Sequence, residues 1–238
     1  MKALLIKIMT LINVIIFSSE SFSQADLQRK ATEGFFDFNY YRDSRQFNVM
    51  TVNLLASFEG RFQYFSLTNF ESAVKASDKT DSTLYYTEQN LRWKLTEKGI
   101  LSLSSQAALQ TGEENDLIRG GVLIDFAQLP ALDSIFKAHE IALGVNLFPL
   151  QMDQLNGYNW QIEYFYNIQI APKTFGDRLY LSGFADQNIG PNETTWVTEH
   201  QVGFRFYDNF FIVSEYRINE FIKKSTGVAT GIEYTLPF

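Results

Sequence analysis

Asp37, Glu88, Arg92, Lys94, Arg119, Asp125, Glu140, Glu163, Asp186, Glu199, Arg205, Glu215, Arg217 and Glu233 recur among apolar residues at even spacings, so each falls on the polar face of an extended segment. This set of nine acids and five bases carries a definite chemistry if the faces enclose one interior. Opposite charges in a confined lumen offset one another's desolvation, and the acidic excess disfavours anions. The same charges could instead cross-brace a closed interior. Tyr41, Tyr86, Phe165, Tyr180 and Phe184 fall on the same faces. Rings stack on flat heterocycles while amides and carboxylates hold sugar hydroxyls, so the mixture suits a small polar solute, with a nucleoside-like one among the candidates. Steric filling accounts for the rings equally well.

Other chemistries have less to work with. His139 and His200 are the only histidines, too few for a histidine-based metal cluster, and no cysteine is present. His200 shares a face with Trp196, Val202, Phe204 and Phe206, which places it at the headgroup level or at an irregularity of that face. With Ser214 on the next segment it raises an enzymatic alternative, an outer-membrane phospholipase. The His-x-Ser arrangement of such enzymes is missing, since Gln201 and Val202 follow His200. No nucleotide-binding loop occurs, no cofactor is expected, and a net charge of -7 lacks the basic face that nucleic acid requires.

These side chains require strands. Alternation with period two predicts strands at Phe35 to Tyr41, Asn48 to Phe58, Arg61 to Phe70, Leu84 to Leu95, Leu101 to Gln110, Ile118 to Ala127, Glu140 to Phe148, Asn159 to Ile170, Leu179 to Asp186, Trp196 to Phe206, Phe210 to Glu220 and Gly227 to Phe238. The fold class read from this pattern is all-β, a 12-stranded antiparallel transmembrane β-barrel with periplasmic termini. Turns at 58–60, 96–99, 128–137, 171–177 and 207–209 would be periplasmic. Segments 71–82, 111–117, 149–157, 187–194 and 221–225 would be external.

Alternation alone does not say which face meets water. Small residues such as Gly121, Gly144, Gly203 and Gly231 stand among the charges, which suits a crowded interior. The chain is 16% aromatic yet has a mean hydropathy of -0.13, as lipid-facing and lumen-facing residues in alternation produce. Met1-Lys2, an apolar run from Ala3 to Phe17 and small residues at Ser21 and Ser23 read as an export signal over 1–23 that is cleaved, leaving 24–238 as the barrel. Phe238 ends an amphipathic strand. Such an aromatic end resembles the signal by which barrels are handed to the barrel assembly machinery of the bacterial outer membrane. The expected partners are therefore outer-membrane lipids, that machinery and a small polar solute.

Gly183-Phe184-Ala185-Asp186, Thr198-Glu199-His200-Gln201, Ser214-Glu215-Tyr216 followed by Asn219 and Phe221, and the aromatic terminus resemble the Tsx-like nucleoside-specific channel-forming porins. That family has Gly-Phe-x-Asp, Thr-Glu-Pro-Gln and Glu-Tyr strands in this order. The resemblance is concentrated in the last sixty or so residues, and His200 stands where the family often has proline. It implies a passive, nucleoside-transporting outer-membrane channel without enzymatic activity. A closed structural or adhesive barrel and the phospholipase remain the alternatives.

Overall fold

In the computed structural model, residues 31–58, 61–73, 84–112, 116–153, 159–223 and 225–238 are described, so the expected export signal over 1–23 lies outside them. The strands are β1 (Ala31–Asp43), β2 (Phe47–Phe58), β3 (Phe62–Ala73), β4 (Leu84–Lys94), β5 (Leu101–Gln110), β6 (Leu117–Asp125), β7 (Ala142–Asp153), β8 (Trp160–Gln169), β9 (Leu179–Ile189), β10 (Thr194–Tyr207), β11 (Phe210–Asn219) and β12 (Thr226–Pro237). Each pairs antiparallel with its sequence neighbours, and β1 pairs with β12, closing a twelve-stranded barrel. Closure leaves no row of unpaired backbone groups, which is what lets a sheet sit in hydrocarbon. The seam reaches the last residue, because the backbone N–H and C=O of Gly34 and Phe238 exchange hydrogen bonds at 3.0 Å each.

Burial separates the two faces. Phe38, Tyr40, Met50, Trp93, Leu103, Met152, Phe204, Ile212, Val228 and Ile232 stand exposed on the outside. Asn90, Gln106, Arg119, Asn146, Gln161, Glu215 and Arg217, on the other face, are buried. A soluble barrel would have the reverse arrangement, and an exterior of this kind is a lipid-facing wall. The outward polar residues Thr68, Thr87 and Gln89 satisfy one another. Tyr64 Oη donates to Gln89 Oε1, Gln89 Nε2 donates to Thr87 Oγ1 at 2.7 Å, and the two threonine hydroxyls are 2.8 Å apart.

The structure corrects several expected boundaries. Residues 126–141 are a folded connection, with a 3₁₀ turn at Phe126–Gln128 and a short helix α1 (Asp133–Ala138) that buries Phe136. Glu140 follows in a left-handed conformation, φ 46°, and is exposed. It therefore lies in a turn and not on the inner face of a strand. A second short helix, α2 (Pro172–Phe175), occupies the turn expected at 171–177. The strand expected to stop at Phe148 runs on to Asp153, because Phe148 and Pro149 together oppose Gly121 in a bulge. The missing proline N–H falls where the ladder is already interrupted.

Candidate functional site

Both described chain ends and the connections after even-numbered strands gather at one rim, termed the terminal rim; the opposite one is the loop rim. Tyr41, Tyr86, Glu88, Arg92, Asp125, Glu163, Phe165, Tyr180, Phe184, Asp186, Glu199, Arg205, Glu215, Arg217 and Glu233 all occupy inward positions of the ladder. They fall into separate groups along the barrel.

The central group is an acidic girdle. Asn146, Glu163 and Asp186 are directly opposed on β7, β8 and β9, which sets neighbouring Cβ atoms about 5 Å apart. Asn146 Nδ2 donates to Glu163 Oε2 at 2.8 Å. Glu88 accepts from Gln106 Nε2 at 3.1 Å and from Tyr86 Oη. The charge of Glu163 acts on both Glu88 and Asp186, so the three carboxylates share one region. Arg119 is the base beside them. It donates to Gln151 Oε1 at 2.9 Å, to Gln106 Oε1, and across the interior to Asn188 Oδ1 at 3.5 Å.

A second group lies nearer the loop rim. Arg217 pairs with Glu215 on its own strand, lies 3.8 Å from Glu199 Oε1 on β10, and places its guanidinium 5.0 Å from the centre of the Tyr41 ring. Asp43 and Arg45, in the β1–β2 turn, pair at 2.8 Å. Sequence periodicity missed this pair because it sits at a turn. The Asp-x-Arg spacing was the available signal, since Asp43 Oδ1 accepts the backbone N–H of Arg45 at 2.7 Å.

A third group braces the interior beside the seam. Tyr180 Oη and Gln201 Nε2 both donate to Glu233 Oε2, at 2.6 and 2.7 Å, and Tyr41 Oη donates to Gln201 Oε1. Tyr180→Phe removes one donor from this buried carboxylate, at a cost of about 1–3 kcal/mol. Thermal unfolding in detergent is expected to show the loss, and an unchanged melting temperature would mean that water replaces the hydroxyl. Apolar Val49, Val213 and Ala229 pack around Tyr41 on the same inner face.

The charged cluster on neighbouring strands is thus divided. Glu199, Glu215 and Arg217 meet as their positions imply, whereas Glu233 is held by Tyr180 and Gln201. Arg205, six residues or about 20 Å along β10 from Glu199, pairs with Asp177 at the terminal rim. A cleft lined by Arg178, Arg205, Phe206, Tyr207 and Asp208 opens at that rim, away from the girdle. Asp125 lies near the same rim and caps the 3₁₀ turn through Ala127 N–H at 2.9 Å.

Phe165 and Phe184 are directly opposed on the inner face. The Arg92 guanidinium lies 5.3 Å from the Phe165 ring centre, and that ring also packs over Gly144. Phe184 is half-buried on the same face. His200 lies on the outer wall, at mid-strand and not at a rim, where its Nδ1 is 2.8 Å from Tyr166 Oη. Ser214 opposes Val202, and no hydrogen bond joins it to His200 among the described residues. No group of three or more His, Cys, Asp or Glu is placed to share a metal among those residues.

No protein-family model matches the chain, and no curated protein matches it. Solved structures do. A KdgM porin superposes with a TM-score of 0.53 at 9% identity, covering 84% of this chain and 98% of its own. A KdgM porin in complex with disordered oligogalacturonate gives 0.50 at 10% identity over the same shares. The chain has a porin-type barrel fold. An outer membrane channel from Pseudomonas putida F1 has a TM-score of 0.45 at 11% identity, over 88% of this chain and 96% of its own.

Proposed function

We propose that the protein is a passive channel of the bacterial outer membrane for small polar solutes, with cations and neutral molecules favoured over anions. The observation that carries this reading is the girdle, Glu88, Glu163 and Asp186 with Arg119, together with the Glu199–Glu215–Arg217 cluster nearer the loop rim, inside a closed, lipid-walled barrel. Charged rings set selectivity when the pore is narrow enough for each solute to pass close to them. In this reading the terminal rim faces the periplasm, Phe238 is the residue read by the assembly machinery, residues 1–23 are the cleaved export signal, and the protein is not an enzyme. Oligogalacturonate, named for one KdgM porin, is a polyanion. An acidic girdle suits it poorly, so this solute is not carried over.

A nucleoside is the finer candidate. Its base would stack on Phe184 while Glu163 and Asp186, the next inward residues on the same strands, hold ribose hydroxyls. The test is a liposome-swelling series over nucleosides, sugars and amino acids. Nucleosides are expected to enter faster than sugars of equal mass, and Phe184→Ala to abolish that advantage selectively. Equal rates for all solutes would leave a channel without nucleoside preference, and no swelling would remove the channel reading.

One observation favours a closed structural barrel as the second reading. Tyr41–Gln201, Arg119–Asn188 and Arg92–Phe165 join strands that are not ladder neighbours and narrow the interior. For the phospholipase, lipid hydrolysis that depends on His200 is the deciding assay, and none is expected, because Tyr166 rather than Ser214 engages the imidazole.

A further inference from the structure

Three buried acceptor oxygens beside the girdle have no hydrogen-bond donor: Asn146 Oδ1, Gln161 Oε1 and Asp186 Oδ1. Their residues are 0%, 2% and 9% exposed. The amide orientations follow from their partners. Asn146 must turn its Nδ2 to the Glu163 carboxylate, 2.8 Å away, because its oxygen there would meet a like charge. Asn188 turns Oδ1 to Arg119, so Gln161 must offer that oxygen its Nε2, at 3.0 Å. Both amide oxygens are left over, that of Asn146 on β7 and that of Gln161 on β8, next to Glu163 on β8 and Asp186 on β9. Buried polar atoms find partners in protein, water or a bound ion as a rule, and three acceptor oxygens gathered beside carboxylates suit a cation.

The charge balance points the same way. Glu88, Glu163 and Asp186 act on one another, and Arg119 is the base that acts on both Glu88 and Asp186. Arg92 lies four residues, about 13 Å, along β4 from Glu88 and turns to Phe165 and to Gln63 Oε1, at 3.1 Å, while the charge of Glu163 still acts on it. With Glu199 set against Arg217, three carboxylates face Arg119 and the more distant Arg92, so the girdle holds more acid than base. We propose that the girdle is a divalent-cation site, with Glu163, Asp186 and the side-chain carbonyls of Asn146 and Gln161 as oxygen ligands and Glu88 supplying charge. Calcium is the ion such a set suits, since it accepts mixed carboxylate and amide oxygens in loose geometry, whereas magnesium demands a near-ideal octahedron and keeps its water. Side chains on three adjacent strands of a rigid wall would hold it, and the bound ion would also reduce the channel's attraction for cations.

The test is titration calorimetry of purified full-length protein in detergent, freed of lipopolysaccharide and of metal by chelator, with calcium chloride as the probe. Binding is read without conductance, so the result stands apart from whether the barrel transports anything. Wild type is expected to bind calcium and to melt at a higher temperature with it than in chelator. Asp186→Asn is expected to weaken binding by about tenfold or more, while melting no lower than wild type in chelator, because like-charge repulsion is relieved. Gln161→Met keeps the volume and the net charge, removes one ligand oxygen, and should weaken binding in the same direction. An absent calcium heat with an unshifted melting curve in wild type overturns the proposal. So does undiminished affinity in both variants, which would place the ion at a rim.

Discussion

Replacing Arg217 by alanine is expected to give the largest functional change of any single substitution in this barrel. The side chain is buried, paired with Glu215 and close to Glu199, and it covers the ring of Tyr41. Its removal leaves two carboxylates without their cation where water is scarce, a change that typically costs about 3–5 kcal/mol. Two outcomes are expected together: a lower melting temperature in detergent, and a reversal potential in a salt gradient shifted towards cations. Arg217→Lys restores the charge without the planar fork, so it should recover most of the selectivity and less of the stability. Unchanged selectivity in a correctly assembled Arg217→Ala protein would show that this cluster does not border the conducting path.

The largest effect on assembly is expected at Gly121. It faces the bulge formed by Phe148 and Pro149, and a Cβ there would collide with the Leu147 carbonyl oxygen and lie 2.9 Å from Phe148 Cα. Both neighbours are backbone, so no rotamer change relieves the contact. Gly121→Val should therefore break the β6–β7 ladder and abolish the heat-modifiable gel migration of a folded barrel. Gly120→Val is the control, since nothing lies within 4 Å of a Cβ at that position. Equal loss in both variants would point to a general intolerance of bulk in β6.

The barrel was legible in the sequence because strand periodicity and lipid-facing alternation reinforce each other over every strand. Trp160, Ile162, Tyr164 and Tyr166 point out while Glu163 and Phe165 point in, as the alternation implies. What failed were the places where local backbone geometry overrides the period. Glu140 has the right spacing for an inner-face residue, yet the turn after α1 puts it in a left-handed conformation outside the strand. Pro149 looks like a strand terminator, and a bulge of β7 at Phe148 and Pro149, in its ladder with β6, lets the strand pass through it.

Side-chain partnerships were less legible than faces. Alternation placed Arg205 and Glu233 on the same inner surface as Arg217, but it carries no information about height along the barrel, and tilt and register separate them. The orphaned oxygens of Asn146 and Gln161 were invisible for a similar reason, since they depend on which amide each donor selects. Inner positions of Val49, Val213 and Leu123 also show that a lumen need not be polar throughout. Where the wall is closely braced, apolar packing replaces water.

Single-channel recording of the purified wild-type protein in a planar bilayer, across a gradient of potassium chloride, tests the central claim most directly. A discrete conductance with a reversal potential of the sign that marks cation preference is the expected result. Anion preference, or no conductance above the bare bilayer, would contradict it.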